Sequence, residues 1–209
     1  IRKEQKNLHI AEMKLLQAQI NPHFLYNTLD SIVWMAEDGD NQKVVEMTSD
    51  LSDFFRTVLS GGSDFIPIEE EKRHIESYLK IQKIRYEDIL DYRIVIEEQI
   101  LHKRVLKMLL QPIVENALYH GIKNKRGGGT IVIRGYEDKS GVVFEVEDNG
   151  HGMDPDTLHA LRDKVNGCSV VSEVSERGGF GMSNVAQRIR MYYGTEASIT
   201  IESEEQVGT

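Results

Sequence analysis

From Leu8, apolar positions recur in alternating steps of three and four through Ala11, Leu15, Ala18, Pro22, Leu25, Leu29, Ile32 and Ala36. That rhythm keeps one stripe of a long helix apolar, as in helices packed along a seam. Asp38-Gly39-Asp40 interrupts it, and Val44, Met47, Leu51, Phe54 or Phe55, and Val58 then resume the spacing. Two helices joined by so short a turn predict an antiparallel hairpin. One hairpin leaves half of its apolar surface uncovered, so the stripes predict a homodimer in which two hairpins form a four-helix bundle. Packing against later helices of the same chain is the alternative.

Beyond Gly61-Gly62-Ser63 the pattern becomes mixed, which places a boundary near residue 62 between a helical unit (1–62) and a second unit (63–209). The second unit opens with an acidic helix from Glu69 to Arg85. A strand is expected near Tyr92 to Glu97, a helix near Val105 to Tyr119, and strands near Thr130 to Glu137 and Val142 to Asp148. Helices after Asp154 and Gly181 and a last strand near Ala197 to Glu202 complete it. Interleaved strands and helices predict an α/β two-layer sandwich. The one biased segment is the basic, glycine-rich loop from Lys123 to Gly129.

Composition narrows the function classes. With 209 residues and 40% apolar content the chain has enough material for two cores. A net charge of -9 opposes a sequence-independent grip on nucleic acid, which needs a basic surface. The single cysteine, Cys168, offers neither an internal disulfide nor a paired-cysteine metal motif, which suits a reducing compartment. No run approaches the roughly 18 to 20 apolar residues of a membrane-spanning helix. The opening at Ile1, directly in a helical pattern without a capping signal, is expected of a piece of something longer.

Three local signals in the second unit carry candidate chemistry. In Gln111-Pro112-Ile113-Val114-Glu115-Asn116-Ala117-Leu118-Tyr119-His120-Gly121, a helix presents polar residues among apolar ones. The Asn116 amide oxygen is a hard ligand suited to Mg²⁺ held against nucleotide phosphates, and His120 lies one turn along the same face. Asp148-Asn149-Gly150-His151-Gly152-Met153 ends an apolar strand in a tight glycine turn, where a carboxylate can accept from an adenine amino group. In Arg177-Gly178-Gly179-Phe180-Gly181-Met182-Ser183-Asn184, glycines run into a helix start, whose free amides suit phosphate. Taken singly, each has an ordinary reading as a polar helix contact or a turn.

In this order the three resemble the ATP-binding Bergerat fold of the GHKL superfamily, over roughly residues 65 to 205. The resemblance implies ATP and Mg²⁺ as cofactors, with Asn116 on the metal, Asp148 on adenine, and Gly150 and Gly152 shaping the base pocket. It places Gly179 and Gly181 near the phosphates, counts His120, Met153 and Met182 among the nucleotide-binding residues, and makes 166–180 a lid over ATP. Hydrolytic members carry a water-activating Glu one turn before the metal-binding Asn. Here that position is Pro112, which can neither orient nor deprotonate water, so transfer to a side chain is favoured over hydrolysis. A conformational ATPase of the gyrase or chaperone type is the alternative.

The acceptor is expected in the first unit. Gln17-Ala18-Gln19-Ile20-Asn21-Pro22-His23-Phe24-Leu25-Tyr26-Asn27-Thr28-Leu29 resembles the phosphoacceptor box of LytS/YesM-type sensor histidine kinases. His23 lies one position beside the apolar stripe, at the edge of the bundle, and Pro22 predicts a bend beside it. Asn27 follows one turn on, where its amide could position water for dephosphorylating a regulator. Many histidine kinases follow the reactive His with Asp or Glu, whereas here Phe24 follows, and Glu115 is the candidate catalytic base. The resemblance further implies a response regulator as partner and, on the cytoplasmic side of a bacterial membrane, an upstream sensor region as the only membrane attachment.

Overall fold

The computed structural model describes residues 22–59, 63–123, 125–166 and 180–209. The chain divides into two compact units, Ile1–Gly61 and Gly62–Thr209.

The first unit contains α1 (Pro22–Glu37) and α2 (Asn41–Leu59). Gly39 takes the left-handed turn between them at φ 77°, and Asp40 Oδ1 caps α2 by accepting from the Lys43 N–H at 3.2 Å. On α2 the spacing predicts the core well, since Met47, Leu51, Phe54 and Val58 are buried. On α1 the described part of the stripe is not the face that meets α2. The buried positions are Phe24, whose ring lies 5.0 Å from that of Phe54, and Thr28. Leu29 is 44% exposed, and Leu25 and Ile32 are half-buried. Thr28 can occupy the seam because its hydroxyl donates back to the Phe24 carbonyl at 2.7 Å, hiding its polarity. The stripe from Leu8 to Ala18 and the turn preceding Pro22, where the bend is expected, lie outside the described residues.

The second unit runs β1 (Phe65–Pro67), α3 (Ile68–Arg85), β2 (Leu90–Ile96), a 3₁₀ turn at Glu98–Ile100, β3 (Arg104–Leu106), α4 (Gln111–Asn116, widening into a π turn over Ala117–Ile122), β4 (Gly129–Asp138), β5 (Gly141–Asp148), α5 (Pro155–Asn166) and α6 (Phe180–Tyr193). β1 and β3 form a small antiparallel ladder. The main sheet has the order β2-β4-β5, with β2 parallel to β4 and β4 antiparallel to β5. Strand alternation sends Ile94, Ile96 and Phe144 toward a core shared with Ile68 of α3, Ile113 of α4, and Val185 and Ile189 of α6. The other sheet face is polar, with Arg134 bonded to Glu147 at 2.7 Å and Tyr136 to Glu145 at 2.7 Å. One covered face and one wet face make the two-layer sandwich.

Two elements depart from expectation. The helix expected from Val105 begins only at Gln111, because Val105 and Leu106 pair with β1 and the intervening loop is held by Glu71. That buried carboxylate accepts the N–H groups of Met108 and Leu110, both at 2.9 Å. Met108 adopts φ 55°, a conformation costing about 1 kcal/mol. Arg188 of α6 donates to the Lys107 and Met108 carbonyls at 2.6 and 3.2 Å, closing the other side. Among the described residues no ladder pairs Ala197 to Glu202, so the expected strand is not seen, but its alternation is real, since Ala197, Ile199 and Ile201 face the core. Arg162 instead donates twice to the Ile201 carbonyl.

Candidate functional site

Asp148 closes β5 and is buried, 5% exposed. Its Oδ1 accepts the Gly150 N–H at 2.8 Å, the two-residue step of an Asx turn. Gly121, in the wide turn of α4, packs directly against it: a Cβ there would stand 2.5 Å from Asp148 Oδ1. Gly150 in turn lies on the Gly121 backbone, where a Cβ would overlap main-chain atoms, and His151 N–H donates to the Gly121 carbonyl at 3.0 Å. The π turn is marked by Lys123 N–H reaching back five residues to Leu118 O at 2.9 Å. Gly152 has φ 64° and abuts the Glu204 carbonyl. Burial pushes the Asp148 carboxyl above the usual carboxylate range, while the Gly150 N–H and the Lys125 charge oppose the shift. Lys125 Nζ itself donates to the Asn149 carbonyl.

Asn116 is the last residue of α4 before the wide turn. Pro112 sits in the first turn, where a missing N–H costs no helix bond. Gly181 of α6 faces these two residues, since a Cβ on it would lie 3.4 Å from Pro112 Cβ and 3.8 Å from Asn116 Nδ2. Asn116 Nδ2 is buried and has no hydrogen-bond partner among the described residues. Met182 is buried with Val165, Ala186 and Ile201, and Met153 and Ile113 of α4 pack against that cluster. His120 is exposed beyond Asn116. Gly179 and all but the two ends of the expected 166–180 lid lie outside the described residues.

Glu115 points into a polar chain rather than to open solvent. Gln111 Nε2 donates to Glu115 Oε1 at 2.8 Å, and the Gln111 amide oxygen accepts from His74 Nε2 at 2.7 Å. Because that oxygen can only accept, His74 must carry its proton on Nε2. Burial raises the Glu115 carboxyl above its ordinary range, and the Gln111 bond only partly offsets this.

In the first unit, His23 is exposed on α1, one residue from buried Phe24. Asn27 Nδ2 lies 3.0 Å from both ring nitrogens.

The structure thus groups Asp148 and Gly150 at the wide turn of α4, with Gly152 next to them against the Glu204 carbonyl, and sets Gly181 beside Pro112 and Asn116. Gly121, Gln111 and Glu71 were not singled out from sequence. A glycine inside a helical pattern reads only as a weak point, and the need for Gly121 exists only once β5 is laid against it.

A model of the family described as "Histidine kinase-, DNA gyrase B-, and HSP90-like ATPase" matches residues 103–209, and one described as "Histidine kinase" matches residues 11–90. Sensor histidine kinase YesM of Bacillus subtilis is 33% identical over 198 residues, covering 95% of this chain and 32% of that protein. Sensor protein LytS of Staphylococcus saprophyticus is 35% identical over 197 residues, with 94% and 32% covered. The chain therefore spans about a third of the length of the curated relatives it matches. A solved bacterial phosphotransferase shares the fold, with a TM-score of 0.55 at 12% identity over 88% of each chain. By these matches the chain belongs to the histidine kinase-, DNA gyrase B-, and HSP90-like ATPase family, as a histidine kinase core of the kind found in the LytS and YesM sensors.

Proposed function

We propose that this chain uses Mg-ATP to phosphorylate its own His23 and passes the phosphoryl group to an aspartate of a response regulator. The observation that carries the reading is the pairing, in one chain, of an exposed histidine in an NPHFLYN box with an ATPase-family helix that has Pro112 at the water-activating position. A ring nitrogen of His23 attacks the γ-phosphorus, an N–P bond forms, and the bond to the ADP oxygen breaks with its electron pair leaving on ADP. The ring proton goes to a base, for which Glu115 is the candidate; burial makes its carboxylate a stronger base than an exposed one.

Asp148 offers its remaining oxygen to the adenine amino group, Gly150 and Gly152 shape the base pocket, and Gly121 and Gly150 let the helix and the turn close on the carboxylate. Asn116 offers Mg²⁺ a hard amide oxygen, and this ion typically takes one or two protein oxygens beside phosphates and water; its buried Nδ2, without a partner among the described residues, is a donor suited to a phosphate oxygen. When bound, the ion would neutralise charge on the phosphates.

The outward stripe on α1, with Leu29, Val33 and Trp34 44%, 54% and 68% exposed, supports a homodimer through the hairpins. Among the described residues no helix is long and apolar enough to cross a membrane. The relatives are named as sensors and are about three times as long, which leaves room for a sensor region beyond this core; the proposal sets the core on the cytoplasmic side of a membrane.

The test is incubation with γ-labelled Mg-ATP. Label that is acid-labile, base-stable and absent from His23→Gln and Asn116→Ala supports the proposal. ATP hydrolysis without protein labelling, unchanged in His23→Gln, moves the chain to the conformational ATPases.

A further inference from the structure

The geometry points to Asn27 as a clamp on the face of the His23 ring, a positioning residue that aims the ring for phosphoryl acceptance. The inference rests on His23 being the phosphoacceptor.

The two equal distances define the contact. Asn27 Nδ2 lies 3.0 Å from Nδ1 and 3.0 Å from Nε2 of His23. A point in the ring plane at that distance from both nitrogens falls either against the carbon between them or across the opposite carbon–carbon bond, inside van der Waals contact in both cases. The amide nitrogen therefore sits above the ring face. Nitrogen lone pairs lie in the ring plane, so an amide there restrains the ring without covering the electron pair that must reach phosphorus. A donor in line with a ring nitrogen would do the opposite and mask it.

The helix makes this clamp stiff. His23 and Asn27 are one turn apart on the same side of α1. Their immediate neighbours Phe24 and Thr28 are both buried, and Phe24 packs on Phe54. Both Cα positions are thereby pinned while both side chains project outward. The residue after His23, where a carboxylate would hold the ring edge-on, is the buried Phe24, and Asn27 one turn away is the polar side chain that lies on the ring.

The test uses the 209-residue chain with Asn27→Ala and Asn27→Asp. With Asn27→Ala, labelling of His23 at saturating Mg-ATP is expected to fall about tenfold, in line with the cost of a misaimed reacting group, while the KM for ATP is unchanged. Asn27→Asp, which keeps the shape and loses the N–H, is expected not to restore the rate. A second reading needs no ATP. Proton couplings of the His23 side chain, assigned by comparison with His23→Gln, are expected to report one rotamer in the wild type and averaging in both variants. Labelling of Asn27→Ala at the wild-type rate, full activity in Asn27→Asp, or identical couplings in all three proteins would overturn the clamp. If the wild type takes no label, the autokinase reading fails and the couplings alone decide whether the clamp exists.

Discussion

Replacing Asp148 by Asn isolates the base-reading half of the proposed site, because the two side chains share a shape and differ in what they accept. Oδ1 is committed to the Gly150 N–H at 2.8 Å, which leaves Oδ2 for an adenine amino group. In the amide, Nδ2 meets either the adenine amino group or, after a flip, the Gly150 N–H; a donor faces a donor in both. The loss is one hydrogen bond to a charged group, about 2 to 3 kcal/mol, or about 30- to 150-fold in Kd. Stability moves the other way. Burial raises the Asp148 carboxyl above its ordinary range. A carboxyl raised by folding contributes stability below its unfolded pKa and loses it as pH rises through the folded value. At neutral pH the ionised group is therefore a cost to the apo protein, and the neutral amide removes it. Titration with a fluorescent ATP analogue is expected to show the weakened Kd. Calorimetry is expected to show apo Asp148→Asn melting above the wild type at neutral pH, with the gap closing as pH falls. An unchanged Kd, or a variant that melts lower at every pH, would refute the reasoning.

Other perturbations follow from the same geometry. Gly121→Ala sets a methyl 2.5 Å from Asp148 Oδ1, so strand and helix must separate; a loss of about 1 to 3 kcal/mol should appear in urea unfolding together with lost nucleotide binding. Glu71→Ala strips the acceptor from two buried N–H groups at 108 and 110 and should cost about 2 to 5 kcal/mol, read as a lowered melting temperature, with Glu71→Gln recovering part of it. Leu29→Arg on the outward stripe of α1 should shift the chain toward monomer in sedimentation while leaving nucleotide binding by the second unit intact.

The sequence made some of this visible and hid the rest for identifiable reasons. The stripe of α2 and the strand alternation of β2, β4 and β5 are local properties, set by which side of an element meets apolar neighbours, and both could be read directly. Even the expected strand at Ala197 to Glu202 had its inward residues right, because alternation reports burial and says nothing of a hydrogen-bonding partner. The late start of α4 could not be read: Val105 to Leu110 has a helical pattern, and it is Glu71, more than thirty residues earlier, that takes the amides and holds the loop open. On α1, Thr28 was invisible as a seam residue because its polarity is cancelled by a backbone carbonyl four residues back. Asp148 was found through its motif, whereas its need for glycine at 121 depends on two segments meeting in space.

The π turn in α4 bears on how this helix can change. Asn116 precedes the wide turn and Gly121 lies within it, so the two halves of the proposed site are joined by a segment with one residue more than an α-helical path would use. Deleting a single residue between 117 and 120 would let the segment relax to an ordinary α-helix. Because the bulge absorbs that residue, everything downstream would keep its phase about the axis and the glycine would still meet Asp148; what would be lost is the widened turn between Asn116 and Gly121. The turn works as a splice in the helix: it takes up one residue locally, so the stretch between Asn116 and Gly121 can differ in length without either of them losing its neighbours.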